Sequence, residues 1–109
     1  MPAQTANRLL TAADEVLLAK RIERGDLNAK EQMIESNMGL VYALAGPYRG
    51  RGVPFDDLVQ EGVVGLIRAV ERFDHRRGRR FSTYAAWWIR AYIYQYIIAN
   101  ARMSTTRSP

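Results

Sequence analysis

The sequence predicts an all-α protein, a compact bundle of about four helices. Apolar residues recur at three- and four-residue spacing between successive turn signals, as on one face of a helix. No stretch alternates apolar and polar residues as a half-buried strand does. From Ser82 onward the chain runs about five helical turns without glycine or proline, so nothing stops a long final helix.

Residues 1–10 carry no apolar stripe and read as a flexible tail. Thr11 precedes Ala-Ala-Asp-Glu, an N-cap followed by acids that favour the positive end of a helix dipole. The helix that follows shows Ala13, Val16 and Leu17, gathers Lys20, Arg21 and Arg24 toward its end, and stops at Gly25. Asp26 caps a second helix whose periodic residues are Leu27, Lys30, Ile34, Asn37, Met38, Val41 and Leu44, broken by Gly46-Pro47. After the turn-rich connector 48–54, a third helix from about Phe55 to Arg72 carries Phe55, Leu58, Val59, Leu66, Ile67 and Val70. A basic loop, residues 74–80, leads to the fourth helix. Residues 103–109 lack a stripe and read as a second flexible tail, which leaves 11–102 as one folded domain.

Sixteen Lys and Arg face eleven Asp and Glu, a net charge of +5 that favours a polyanionic partner. The excess is uneven. Arg72, Arg76, Arg77, Arg79, Arg80 and Arg90 crowd one stretch with the single acid Asp74, whereas residues 55–61 hold three acids and no base. One end suits phosphates and another suits a protein. Absence of cysteine excludes disulfides and Cys-ligated metal. No apolar run reaches the length of a membrane span and the N-terminus is unlike a signal peptide, so a soluble, cytoplasmic protein is expected.

The fourth helix holds six of the chain's aromatics: Tyr84, Trp87, Trp88, Tyr92, Tyr94 and Tyr96. Ile89, Ile93 and Ile97 fall on one side, and Tyr84, Trp87, Trp88 and Tyr94 crowd roughly the other. A helix that is apolar all round needs two partners. The isoleucines face a core. Aromatic rings flanked by Arg76, Arg77, Arg79, Arg80 and Arg90 suit a platform on which unpaired bases stack beside neutralised phosphates. They suit a core or a protein interface as well, and the residues alone leave both readings open.

Enzymatic chemistry finds little support. His75, the lone histidine, has no second ligand or paired base at helical spacing and reads as a solvated loop residue. Asp56, Asp57 and Glu61 are acids expected near a helix start, and no phosphate-binding glycine loop or nucleophile motif is present. No cofactor or metal is expected. Gly62 and Gly65 inside the third helix each cost roughly 1 kcal/mol against alanine, which points to close approach of another backbone. Asp57, Gln60 and Glu61 offer an acidic face to an Arg-rich partner, or simply to solvent.

Three segments together resemble region 2 of bacterial RNA polymerase sigma factors of the housekeeping type. They are Asp57-Leu-Val-Gln-Glu-Gly-Val-Val-Gly-Leu66, Ala69-Val-Glu-Arg-Phe-Asp74 and Arg80-Phe-Ser-Thr-Tyr-Ala-Ala-Trp-Trp-Ile-Arg90. Leu10 to Asp26 is similar to region 1.2, and Ile34-Glu-Ser-Asn-Met-Gly-Leu-Val41 resembles region 2.1. The likeness covers about residues 9–102, with the motifs in order.

The resemblance implies a transcription initiation domain that docks on core RNA polymerase and recognises and melts the promoter −10 element. Asp57, Leu58, Gln60 and Glu61 match positions that meet a coiled coil of the largest catalytic subunit. Phe81, Thr83 and Tyr84 match a pocket for a flipped −11 adenine on the non-template strand, Trp87 and Trp88 the pair at the edge of the duplex, and Asn37 a second base pocket. Arg76, Arg77, Arg79, Arg80 and Arg90 are expected on phosphates. Ala91, Tyr94 and Gln95 stand where the family reads the −12 pair.

Several positions depart from the family's pattern. Ala91, Tyr94 and Gln95 replace a Gln and a Thr-Arg-like pair and look closer to alternative sigma factors. Gly39 stands where Arg is usual, Val63 where Asn is usual, and Arg79 where an aromatic is usual. The residues after Arg102 also differ, as in a divergent or engineered chain or one that stops at a domain boundary. Two other readings remain open: a protein-interaction module, for instance one bound by an anti-sigma factor, and a duplex-binding helix-turn-helix protein.

Overall fold

The computed structural model describes residues 9–107, with side chains described for 9–100. It contains five α-helices: α1 Ala12–Glu23, α2 Leu27–Ser36, α3 Met38–Ala45, α4 Phe55–Arg72 and α5 Phe81–Arg107. Single 3-10 turns at Gly46–Tyr48 and His75–Arg77 complete it, and the described residues form no strand.

Local signals account for most helix starts. Thr11 and Asp14 form a reciprocal capping box: the Thr11 hydroxyl accepts from the Asp14 N–H, and the Asp14 carboxylate accepts from the Thr11 N–H. The Asp26 carboxylate accepts from the Ala29 N–H and caps α2. Helix α4 has the bounds its apolar stripe predicted. The expected second helix is divided at Asn37, whose side-chain amide donates to the Met33 carbonyl four residues back and competes with the backbone ladder there.

The buried faces of α1 and α2 differ from the expected stripes. On α1 the core side is Glu15, Leu18 and Ala19, while Leu17 is exposed. On α2 it is Ala29 and Met33, while Leu27 is 75% exposed. A buried carboxylate on α1 and a small alanine on α2 occupy places that a hydrophobic count assigns to larger residues. The C-terminal tail also differs from expectation, because the α5 backbone stays helical through Arg107. Residues 1–8 of the predicted N-terminal tail, and residues 108–109, lie outside the described residues.

The centre of the bundle is the pairing of α4 with α5. Leu58, Leu66, Ala69 and Val70 meet Phe81, Ala85, Ile89 and Ile93, and α3 closes the groove with Val41 and Ala45. A Cβ on Gly65 would lie 2.6 Å from the Trp88 carbonyl oxygen, and one on Gly62 2.8 Å from Val41 Cγ1. Gly62 is therefore crowded by side chains of Val41, Ile89 and Ile93 rather than by backbone, whereas Gly65 meets another backbone as expected. This contact sets the height of α5 on the core and so presents its other face outward.

Candidate nucleic-acid interface

Helix α5 begins at Phe81, so Ser82 and Thr83 lie inside its first turn and do not cap it. Its first N–H finds a partner from α1: Glu15, only 4% exposed, accepts from the Phe81 N–H at 2.9 Å. The same carboxylate accepts from Arg80 Nε at 3.1 Å, and Arg80 Nη2 donates to the Leu10 carbonyl at 2.9 Å. Farther along α1, Glu23 accepts two bonds from the Arg76 guanidinium, at 2.9 and 3.0 Å. Two carboxylates of α1 thus hold both ends of the basic loop. Gly78, at φ 75°, ends the 3-10 turn between them in the left-handed region that favours glycine.

These pairs divide the loop arginines. Arg76 and Arg80 are engaged by Glu23 and Glu15, and the bonds they donate to those acids hold both guanidinium groups in the charged form. Glu23 titrates below its ordinary value because Arg76 donates to it, and Asp74 does so because the Arg76 backbone N–H donates to it. Arg77 reaches Asp74 only at 3.7 Å. Among the described residues no carboxylate lies within ion-pair distance of Arg79, whose guanidinium sits 5.9 Å from the centroid of the Tyr84 ring. His75 corrects the solvated reading: its side chain is 9% exposed, turned toward Glu23 with 3.7 Å between Nε2 and Oε1.

Above the loop the rings form a connected series. Phe73 meets Phe81 edge-on with centroids 5.2 Å apart, Tyr84 tilts against Phe73 at 5.9 Å, and Trp88 stands edge-on to Tyr84 at 6.4 Å. Trp87 stands edge-on to Trp88 at 6.1 Å and is 69% exposed. The face divides into a packed part and an exposed part. Phe81 is fully buried, so its ring supports the others from below and touches no base in this conformation. Tyr84 and Trp88 are half-buried, and Trp87 and Tyr94 are open.

Three cavities follow this series. One of about 330 Å³ is lined by Arg72, Phe73, Asp74, Arg77, Arg79 and Tyr84. A second, of about 400 Å³, is lined by Arg79, Thr83, Tyr84, Trp87 and Trp88. The third, of about 360 Å³, lies between Tyr48, Trp87, Arg90, Ala91 and Tyr94. Of the three residues expected at −12, Ala91 and Tyr94 share this third cavity, while exposed Gln95 is not among its walls. Asn37 lines none of the three and is tied to Met33.

The acidic face of α4 has a different makeup from that expected. Leu58 is fully buried, so it belongs to the core and is removed from the contact surface. Gln60 is exposed and Glu61 half-buried. Asp57 accepts a bond from the Tyr96 hydroxyl at 3.1 Å, which raises the Tyr96 pKa because a phenolate would face the carboxylate. Sequence reasoning missed Arg72, Phe73, Asp74 and Tyr48 as cavity walls and the two α1 carboxylates as holders of the loop. Arg80 and Glu15 are 65 residues apart, a separation for which no local pattern exists.

Among the described residues, no cluster of acids and histidine is arranged to hold a metal ion, and no helix is long and apolar enough to cross a membrane. Residues 33–103 match the family described as Sigma-70 region 2, and residues 6–28 match Sigma-70 factor, region 1.2. The chain is 55% identical over 101 residues to the RNA polymerase sigma factor SigA of a Bacillus species, and 54% identical to SigA of Listeria monocytogenes. It is 50% identical to the RNA polymerase sigma factor RpoS of Coxiella burnetii. Each match covers 93% of this chain, which spans 26 to 28% of those relatives' length. With the aromatic residues of α5, the basic loop and the helix glycines all inside the matched span, the chain belongs to the sigma-70 family.

Proposed function

We propose that this chain is the part of a transcription initiation factor that docks on core RNA polymerase through α4 and captures the non-template strand of the promoter −10 element on α5. The relatives named above are RNA polymerase sigma factors, which supports the partner. The observation that carries the reading is the Tyr84 ring, which walls two adjacent cavities with Arg77 and Arg79 at their rims. A base leaving the duplex loses a few kcal/mol of stacking and pairing, and a ring beside cationic donors offsets that cost. Thr83, Trp87 and Trp88 extend the surface along the strand. Gln60 and Glu61, with Asp57 held by Tyr96, form the face offered to an Arg-rich helix of the polymerase. Residues 11–102 are the folded unit in this proposal, with α5 continuing beyond it.

The test is Tyr84→Ala measured on two strands. Stacking on an aromatic ring is worth about 1–3 kcal/mol per base, so affinity for a −10-like strand falls roughly tenfold. On the same strand made abasic at −11, wild type and variant bind alike. A penalty that persists on the abasic strand, with a lowered Tm, assigns Tyr84 to packing and removes the base-capture reading.

A further inference from the structure

Arg79 divides the two cavities beside Tyr84, and their polar linings differ. The first contains Asp74, an acceptor, among the donors of Arg72, Arg77 and Arg79. The second has no carboxylate: its side-chain polar groups include the Arg79 guanidinium, the Thr83 hydroxyl and the indole N–H of exposed Trp87. The Tyr84 hydroxyl is turned away, toward the Arg72 carbonyl at 3.4 Å. Trp88 contributes its ring to the walls, since its Nε1 is buried and offers no donor to a bound base. Donors therefore outnumber acceptors in a space of about 400 Å³ with aromatic walls.

That imbalance selects among bases. A guanidinium is a donor-only fork with five N–H groups, and stacking on a ring fixes its plane. Guanine offers the matching pair of acceptors, O6 and N7, on one edge, whereas adenine places an amino donor beside its N7. Adenine fits better where an acceptor such as Asp74 is available. Arg79 also differs from the other loop cations in having no carboxylate to compete for it. Arg76 and Arg80 are held by α1, and Arg77 leans toward Asp74.

We propose that Arg79 is a base-reading residue, and that the cavity it forms with Thr83, Tyr84, Trp87 and Trp88 takes a guanine next to the base captured at Tyr84. The proposal rests on the strand-capture function above and gives that surface a second base preference. The shared chemistry of guanine and phosphate is acceptor oxygen, so the experiment must separate the two.

The chain is titrated by fluorescence anisotropy with labelled −10-like single strands. Each neighbour of the −11 adenine is set in turn to guanine, adenine, cytosine, thymine, 7-deazaguanine or 2-aminopurine. A parallel set carries methylphosphonates at the flanking linkages. The expected result is about tenfold tighter binding with guanine at one neighbour. Removing N7 or O6 in the analogues loses that gain, and so does Arg79→Lys, which keeps the charge but not the fork. Circular dichroism of the variant is unchanged. Equal binding of all four bases overturns the proposal and leaves strand capture intact. So does a loss in Arg79→Gln that is uniform across bases and absent with methylphosphonates, which makes Arg79 a phosphate contact. Failure to bind any strand overturns both.

Discussion

The backbone carbonyl of Trp88 occupies the place where Gly65 would carry a side chain, 2.6 Å from an ideal Cβ. A carbonyl in mid-helix cannot rotate aside, so Gly65→Ala must push α5 away from α4. The expected cost is about 1–3 kcal/mol even after the helix-propensity gain of alanine, a fall in Tm of roughly 4–8 °C per kcal/mol. Gly62→Ala meets Val41 Cγ1 and the ends of Ile93 and Ile89, side chains with more freedom to adjust, and costs less. Thermal melts of the two variants settle the order; equal losses would contradict it.

Glu15 is a buried acid with three bonds, one of them to the first N–H of α5. Glu15→Ala leaves that N–H without its acceptor and the Arg80 guanidinium with only the Leu10 carbonyl. Stability drops by about 1–3 kcal/mol, the range for leaving a buried donor unsatisfied. Glu15→Gln keeps one acceptor oxygen and recovers part of the loss. A Gln variant as unstable as the Ala variant in urea titration would mean that charge rather than capping is what counts.

Acid should open the loop before it opens the core. Glu23 and Asp74 have lowered pKa values in the fold, so their contacts favour the ionised form. Stability from such groups is complete above the unfolded-chain values, near 4, and is lost as pH falls through the folded values below them. Little change is expected between pH 7 and about 5. The Arg76 backbone amide, bonded to Asp74 at 3.0 Å, is the reporter in a proton–nitrogen correlation titration. A midpoint at or above 4 speaks against the loop contacts.

The loop arginines should behave as two classes toward DNA. Arg77→Ala removes a cation from the rim of the first cavity and flattens the log–log salt dependence of single-strand binding by roughly 0.7. Arg76 is already paired with Glu23, so Arg76→Ala changes that slope little. Identical slopes for both variants would show that DNA draws Arg76 away from its carboxylate.

On α4 the neighbouring positions 58 and 60 should separate folding from docking. Leu58 is fully buried, and its replacement by alanine costs about 2–5 kcal/mol. Gln60 is exposed. Gln60→Ala, or Glu61→Lys beside it, is expected to weaken binding to core RNA polymerase while leaving the helical dichroism intact. Unchanged affinity in a direct titration rules out this face as the docking surface.

Much of the fold was legible because its signals are local. Thr11, Asp26 and the Gly46-Pro47 break lie next to the helix ends they control, and the stripe on α4 gives both of its bounds. Gly62 and Gly65 announced a close neighbour without naming it. The candidate surface was legible in kind, as rings beside arginines, but not in detail. Phe81 resembles its aromatic neighbours in sequence, and only tertiary packing shows that it is the buried one. Similarly, nothing near residue 80 reveals that Glu15 fills the role a Ser or Thr cap would otherwise have. The exposed Leu17 and Leu27 mislead for the same reason, since a helix face is decided by what packs against it.

The grip of α1 on the loop has a consequence for discrimination. Four arginines in five residues would attract any polyanion, whatever its sequence. By neutralising Arg76 and Arg80, Glu15 and Glu23 lower that indiscriminate pull and leave uncompensated charge mainly beside the cavities. On the proposed function, weak attraction would let the rings decide which strand stays. Glu15→Gln combined with Glu23→Gln should therefore make the chain bind random strands more tightly and more salt-sensitively. The gap between a random strand and a −10-like one should narrow.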